Sequence, residues 1–334
     1  MDYPKFEDLK ITTMTLILPL LGGVNIEAAF QLFYVTRIPT IDNGKSTKCK
    51  IPHHPIPGSI LSMKFYTATR GIIKSQKRPF KNAVTIDIST TKKNVNVKLS
   101  ANTMQICGAP SIIDGLEAAT YVIHHARYVK YILDKIQDDI SHTIEIIDWV
   151  LDNCKGKEVV KTEGNILDHE IIKISKEAPD HLDQDLVKFF TYLCDDYYYH
   201  SDLSSKLKFI PNVKMIIEEP LGIKAVVEAM VNYNYNVGFK VNRSKLDHFI
   251  NGKNGLLSHY DNALVNYVAV ELPYEAGESD VIKRKKNKIP KITFMCYKSG
   301  SVTQSGCGGP IMKEAYQIFM RTIHELKPLI ILYD

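Results

Sequence analysis

The 334-residue chain lacks the short motifs that mark the commonest catalytic chemistries. It has no Walker phosphate loop, no GxGxxG turn after a strand, no HExxH pair and no GxSxG elbow. Phosphate-loop hydrolysis, dinucleotide redox chemistry, zinc-peptidase and serine-hydrolase activity are therefore not expected. The reading is of a non-enzyme that uses no cofactor. The six cysteines, at positions 49, 107, 154, 194, 296 and 307, include no CxxC pair. They read as reduced, intracellular and structural thiols. No basic-then-apolar leader opens the chain, and the apolar run Met14–Leu21 is too short to span a bilayer. A soluble protein with no membrane partner is expected. Neither sign of charge is scarce. Lys and Arg number 42 against 37 Asp and Glu, giving a net charge of +5 and a pI near 8.6. That balance admits an anionic partner without demanding one. At 45% hydrophobic residues the chain can bury a core.

The isolated candidates for chemistry are thin. Gly306-Cys307-Gly308-Gly309 has no following lysine and reads as a strand-to-helix turn. His124 and His125 are helical neighbours whose side chains diverge, so they do not share a metal. Asp195, Asp196, His200 and Asp202 contain hard-ion and zinc ligand types, but three tyrosines intervene and no further ligands cluster nearby. No metal site is expected.

What the chain does have is a unit centred on Ile289–Pro310. Ile292, Phe294 and Cys296 alternate with Thr293, Met295 and Tyr297, the pattern of a strand with one buried face. Lys298-Ser299-Gly300-Ser301 turns the chain, and Val302–Ser305 returns it. Glycines then break the strand, and Pro310 opens a helix with Ile311, Ala315, Ile318, Phe319, Thr322 and Leu326 on one face. A second copy lies upstream. Val95, Val97 and Leu99 alternate, Ser100-Ala101-Asn102-Thr103 turns, and Met104–Cys107 returns. Gly108 breaks that strand, and Pro110 opens a helix with Ile112, Leu116, Ala119, Ile123 and Ala126 on one face. The recurrence points to an internal duplication. Strands are further expected at Ile11–Leu18, 59–67, 84–89, Tyr235–Val241 and Leu264–Leu272, with helices at 26–34, capped by Asn25, and 245–250, capped by Ser244. Between about 136 and 231 the sequence reads as a helix-rich lobe. Its first helix has Ile140, Ile144, Ile147 and Leu151 on one face. Asp180 caps a second, and Ile223, Val226, Val227 and Met230 suggest a third.

Residues Phe294–Gly306 resemble the second-repeat core of the TATA-box-binding protein family. Ser258–Tyr267 resembles the approach to that repeat's middle strand, and Thr103–Ala109 the matching piece of the first repeat. The likeness covers about half the chain, over 10–135 and 232–330. It implies an α+β fold in which two tandem repeats, 1–135 and 232–334, form one curved antiparallel saddle with helices on the convex face. Residues 136–231 are then a helix-rich insertion. An inserted lobe and heavy use of Lys, Asn and Ile resemble versions encoded by large DNA viruses. That places the protein inside the cell, in the nucleus or in a cytoplasmic viral factory or virion. The run 283–286 is either an import signal or a solvated basic loop.

The resemblance also implies function: minor-groove binding of AT-rich double-stranded DNA by the concave face. Partners implied are a transcription factor IIB-like protein near loop 259–267 and, through it, a multisubunit RNA polymerase. Carried over by position, Tyr297 and Val265 fall where the family keeps aromatic wedges. Met295, Thr303, Ser305 and Val237 lie on the groove face between them. In the first repeat Leu99 and Phe80 take the wedge positions, beside Val97, Gln105 and Cys107. A rival register uses strand 59–67 and puts Gly58 in place of Phe80. The basic loops Lys74–Lys81 and Lys283–Lys291 are candidate phosphate clamps.

Three departures stand out. The family's central asparagine pair is missing; Ile11 and Tyr235 take those places, with Asn234 and Asn236 one register step away. Asp87 stands where a phosphate-binding arginine is usual, unless the rival register supplies Lys64. The wedges Leu99 and Val265 are small. Two readings therefore stand: a diverged initiation factor, or an interaction module of the same fold that no longer reads DNA. A nucleic-acid-processing enzyme is a third, weaker one. An uncovered apolar saddle further implies a homodimer when free.

Overall fold

The computed structural model describes residues 3–36, 56–71, 81–153, 156–160, 169–173, 177–197, 216–275 and 289–333. The chain divides into two compact units, the first made of 1–17, 107–112 and 227–334, the second of 18–106 and 113–226.

In the first unit, β1 (Ile11–Pro19, through Ile17) and β9 (Val227–Asn236) lie beside a meander of β10 (Leu257–His259), β11 (Tyr267–Pro273), β12 (Lys291–Tyr297) and β13 (Ser301–Gly306). The antiparallel order is β10-β11-β12-β13-β9-β1. The expected alternation on β12 holds: Ile292, Phe294 and Cys296 are buried, while Thr293, Met295 and Tyr297 are half-buried. Helices α5 (Arg243–Ile250) and α6 (Pro310–Glu325) cover the apolar side, where the rings of Phe294 and Phe319 stack at 4.3 Å. Gly300 sits at φ +82° in the β12–β13 turn. A Cβ there would meet the Phe239 carbonyl oxygen at 2.1 Å, so the turn requires glycine. Gln304 is buried under α6. It accepts from the Tyr235 hydroxyl at 3.3 Å and donates to the Met312 carbonyl at 2.7 Å. The cost of burying its amide is thereby offset.

In the second unit the order is β6-β5-β4-β2-β3, from β2 (Ile60–Phe65), β3 (Ala68–Gly71), β4 (Val84–Ser89), β5 (Asn94–Ser100) and β6 (Thr103–Ala109, through Ile106). Helix α1 (Ile26–Leu32) starts at Asn25, whose side chain accepts from Ala28 N at 3.0 Å, as its residue type predicts. It ends on buried Arg70, which donates to the Phe30 carbonyl and, at 2.6 Å, to that of Phe33. Helix α2 (Ile112–Asp138) runs on to α3 (Ile140–Asn153), which packs on α4 (Gln184–Tyr197). A two-stranded sheet, β7 (Gly156–Val160) with β8 (His169–Lys173), lies between them in sequence.

The order of elements recurs. Strand, helix, strands, hairpin and long helix appear as β1–α1–β2–β4–β5–β6–α2 and as β9–α5–β10–β11–β12–β13–α6. β3 is an addition to the first set. The expected third helix around 223–230 is corrected. Residues from Val227 form β9, and Tyr235–Val241 is not a strand in its own right, since β9 ends at Asn236. The caps of two helices shift as well. Asn242, not Ser244, caps α5, and Asp183, not Asp180, caps α4.

Candidate nucleic-acid interface

The strands of each unit carry rows of residues that are half-buried or exposed. On the first unit the pairing fixes three rows across the strands. Tyr267 pairs with Tyr297. Ala269, Met295, Thr303 and Asn234 form the next row. Glu271, Thr293, Ser305, Asn232 and Thr13 form the third. Asn232 donates to the Thr13 hydroxyl at 2.9 Å. The members of these rows are half-buried or exposed, whereas their sequence neighbours Val268, Val270, Phe294, Cys296, Val302 and Gln304 are buried. One carboxylate, Glu271, stands on this face, and Lys291 pairs with it at 2.5 Å. The surface is thus a patchwork of amides, hydroxyls, a thioether and two phenols with little net charge.

Met295, Tyr297, Thr303 and Ser305 are half-buried and alternate with buried neighbours on β12 and β13. Val265 is half-buried in the turn before β11 rather than on a strand. Val237 needs correction. It is 2% exposed and belongs to the core with Val241 and Leu246. The cause is the position of β9, which begins well before Tyr235. The same shift buries Tyr235 and sends Asn232, Asn234 and Asn236 to the open side. Asn232, Asn234 and Asn236 thus lie beside the place of Tyr235, while β1, which carries Ile11, has no asparagine. Burial also raises the Tyr235 phenol well above the ordinary range, by desolvation first and then by Cys296 and Tyr316.

On the second unit the rows are Thr69–Lys64–Thr85–Lys98 and Gly71–Ser62–Asp87–Asn96. Lys64 and Asp87 come from neighbouring strands of one sheet, so the two rival registers each describe a real strand. Asp87 accepts from Ser62 Oγ at 2.7 Å and from Asn96 Nδ2 at 3.0 Å. Val97 and Leu99 are corrected: both are 0% exposed and face the helices, so neither wedges anything from the open side. A period of two does not say which side of the strand is buried, and here Lys98 and Asn96 take the outward side in place of Leu99 and Val97. Gln105 and Cys107 are half-buried residues alternating with buried Met104 and Ile106. Phe80 and most of the basic loops 74–81 and 283–291 lie outside the described residues, as do His200 and Asp202.

The histidine pair separates by role. His124 is exposed. His125 contacts the Gly58 carbonyl through Nε2 at 2.8 Å and lies 5.8 Å from the Phe33 ring. Its desolvation lowers its pKa, so it is a neutral packing residue. Among the described residues no helix is long and apolar enough to cross a membrane.

No protein-family model matches this chain, and no curated protein matches it. Among solved structures, the TBP of Methanococcus jannaschii is similar to it at 8% identity with a TM-score of 0.36, covering 95% of this chain and 98% of that one.

Proposed function

We propose that this chain is a TATA-box-binding-protein-like initiation factor, a binding protein rather than an enzyme, that meets AT-rich duplex DNA with the open faces of its sheets. The observation that carries the reading is the chemistry of the first unit's open face. The minor groove of AT-rich DNA offers only base acceptors on its floor, with no exocyclic donor from guanine. A face of asparagine amides and hydroxyls supplies donors, and Met295, Tyr267 and Tyr297 supply apolar contact for partly unstacked bases. Full charges are not needed there, since phosphate attraction comes from the groove's rim; on the second unit, Lys64 and Lys98 share a row and suit phosphate oxygens. The recurring element order fits an ancestral duplication. The contact set becomes Tyr267, Met295, Tyr297, Thr303 and Ser305 with Asn232, Asn234 and Asn236, and with Gln105, Cys107 and Val265 beside them.

By the same resemblance, a transcription factor IIB-like protein engages loop 259–267 and brings a multisubunit RNA polymerase. Leu264 is 79% exposed in that loop, an apolar side chain available to a partner. The segment 136–231 is an inserted lobe. An intracellular site of action, nuclear or in a viral factory, goes with these partners.

One observation favours a second reading, an interaction module that has lost DNA binding. Asp87 puts a buried carboxylate, 9% exposed and hydrogen-bonded by Ser62 and Asn96, in the row next to Lys64 and Lys98, where it would repel phosphate. Fluorescence anisotropy on AT-rich and GC-rich duplexes at two salt concentrations decides between them. The initiation-factor reading expects tight AT-preferring binding that Tyr297→Ala weakens at both salts. Weak binding, indifferent to sequence and to Tyr297, leaves the interaction module.

A further inference from the structure

We infer that the outward face of α3 is a docking site for an amphipathic helix of a partner protein, with basic residues along one edge. Ile140, Ile144, Ile147 and Leu151 follow spacings of four, three and four, the seam of two helical heptads. Such a stripe ordinarily turns to the core. Here the core side of α3 is Thr143, Ile146 and Val150, all buried, and α4 packs against the helix. The isoleucine stripe is left outward: Ile140 is 50% exposed, Ile144 53%, Leu151 39%, and Ile147 is half-buried. Exposed β-branched residues weaken a helix, so the stripe costs stability and its spacing matches what helix-in-groove recognition reads. At about 1.5 Å per residue the helix offers a partner about 20 Å of seam.

Charge selects the occupant. The helix contains no Lys or Arg. Asp148 and Asp152 lie along one flank of the seam and are exposed, while the other flank closes onto the core. A second copy docking by the same face would bring these carboxylates toward their own equivalents. DNA and anionic lipid are repelled for the same reason. A helix whose apolar seam is edged by Lys or Arg matches both the apolar stripe and its acidic flank.

The test uses the full chain and a fluorescein-labelled 18-residue amphipathic peptide (about two and a half heptads) with Leu at the seam positions and Lys along one edge. A control peptide carries Glu along that edge. The Lys peptide is expected to bind, and Ile144→Asp to weaken it at least about tenfold without lowering the melting temperature, since Ile144 is more than half exposed. The double variant Asp148→Lys/Asp152→Lys is expected to reverse the preference toward the Glu peptide. Equal binding of both peptides, or no effect of either variant, overturns the proposal. So does sedimentation showing a wild-type dimer that Ile144→Asp converts to monomer, since the stripe is then a contact between copies.

Discussion

Tyr267 and Tyr297 meet edge to face across β11 and β12, their ring centroids 5.7 Å apart and their planes at 61°. Both residues are half-buried. Such a pair contributes about 1 kcal/mol beyond its burial. Tyr297→Ala is therefore expected to lower stability by about that amount. It is expected to weaken binding to an AT-rich duplex about tenfold, as loss of one base-stacking ring does. Tyr297→Phe keeps the ring and should retain both. Urea midpoints and anisotropy on the same samples separate the two effects.

Leu99 and Lys98 are neighbours in sequence and face opposite ways on β5. Leu99→Ala opens a cavity in the core and is expected to cost about 3 kcal/mol of stability, with DNA affinity unchanged in the folded protein. Lys98→Glu is expected to do the reverse, leaving the urea midpoint in place and lowering affinity most at low salt. If instead Leu99→Ala lowers affinity at constant stability, the face assignment of β5 is wrong.

Thiol chemistry reports the same faces. Cys296 is buried and desolvation raises its pKa strongly, while Cys194 is buried among the core residues of the second unit. Cys107 and Cys307 are half-buried. Iodoacetamide on the native protein should label Cys107 and Cys307 well before Cys194 and Cys296, and an AT-rich duplex should slow labelling of Cys107. Peptide mass spectrometry over a time course reads each site. Early modification of Cys296 contradicts a closed helix side on β12.

The desolvated imidazoles give a pH dependence. His125 and His324 both have lowered pKa values, in each case through burial first. The unfolded chain then binds more protons than the folded one over the interval from the unfolded histidine value, about 6.5, down to the folded values. Stability is complete above that interval and falls as pH drops through it. Urea midpoints at successive pH values should decline below about pH 6.5. The slope should be shallower in His125→Gln, which removes one of the two groups.

The legible parts of the chain are those in which local pattern and tertiary environment agree. On β12, Ile292, Phe294 and Cys296 announce a buried side, and the Gly300 turn fixes the hairpin. Asn25 announces the start of α1. β9 was illegible for two reasons. Its first residues, with Val227 and Met230, fit a helical spacing as well as an extended one, and its outward positions Asn232, Asn234 and Asn236 are poor strand formers. Only the pairing with β13 and β1 decides the matter, and pairing is a long-range property. β5 failed differently. Its alternation was read correctly, but which of its two sides meets the helices is not written in the alternation itself. The isoleucine spacing announces α3 as a helix, but the core takes the adjacent face of Thr143, Ile146 and Val150. Arg70 gave no signal at all, because what it satisfies are the carbonyls of Phe30 and Phe33, far away in sequence.

The alternation along β12 and β13 has an evolutionary side. Thr293, Met295, Tyr297, Thr303 and Ser305 share strands with Ile292, Phe294, Cys296, Val302 and Gln304, yet no residue belongs to both sets. Selection for a stable interior and selection for a contact surface thus act on interleaved but separate letters of the same short segment. A lineage can exchange its outward residues, and with them its target, while the inward ones hold the fold. Extreme sequence drift in such a protein would then accumulate first at odd-numbered positions of these two strands.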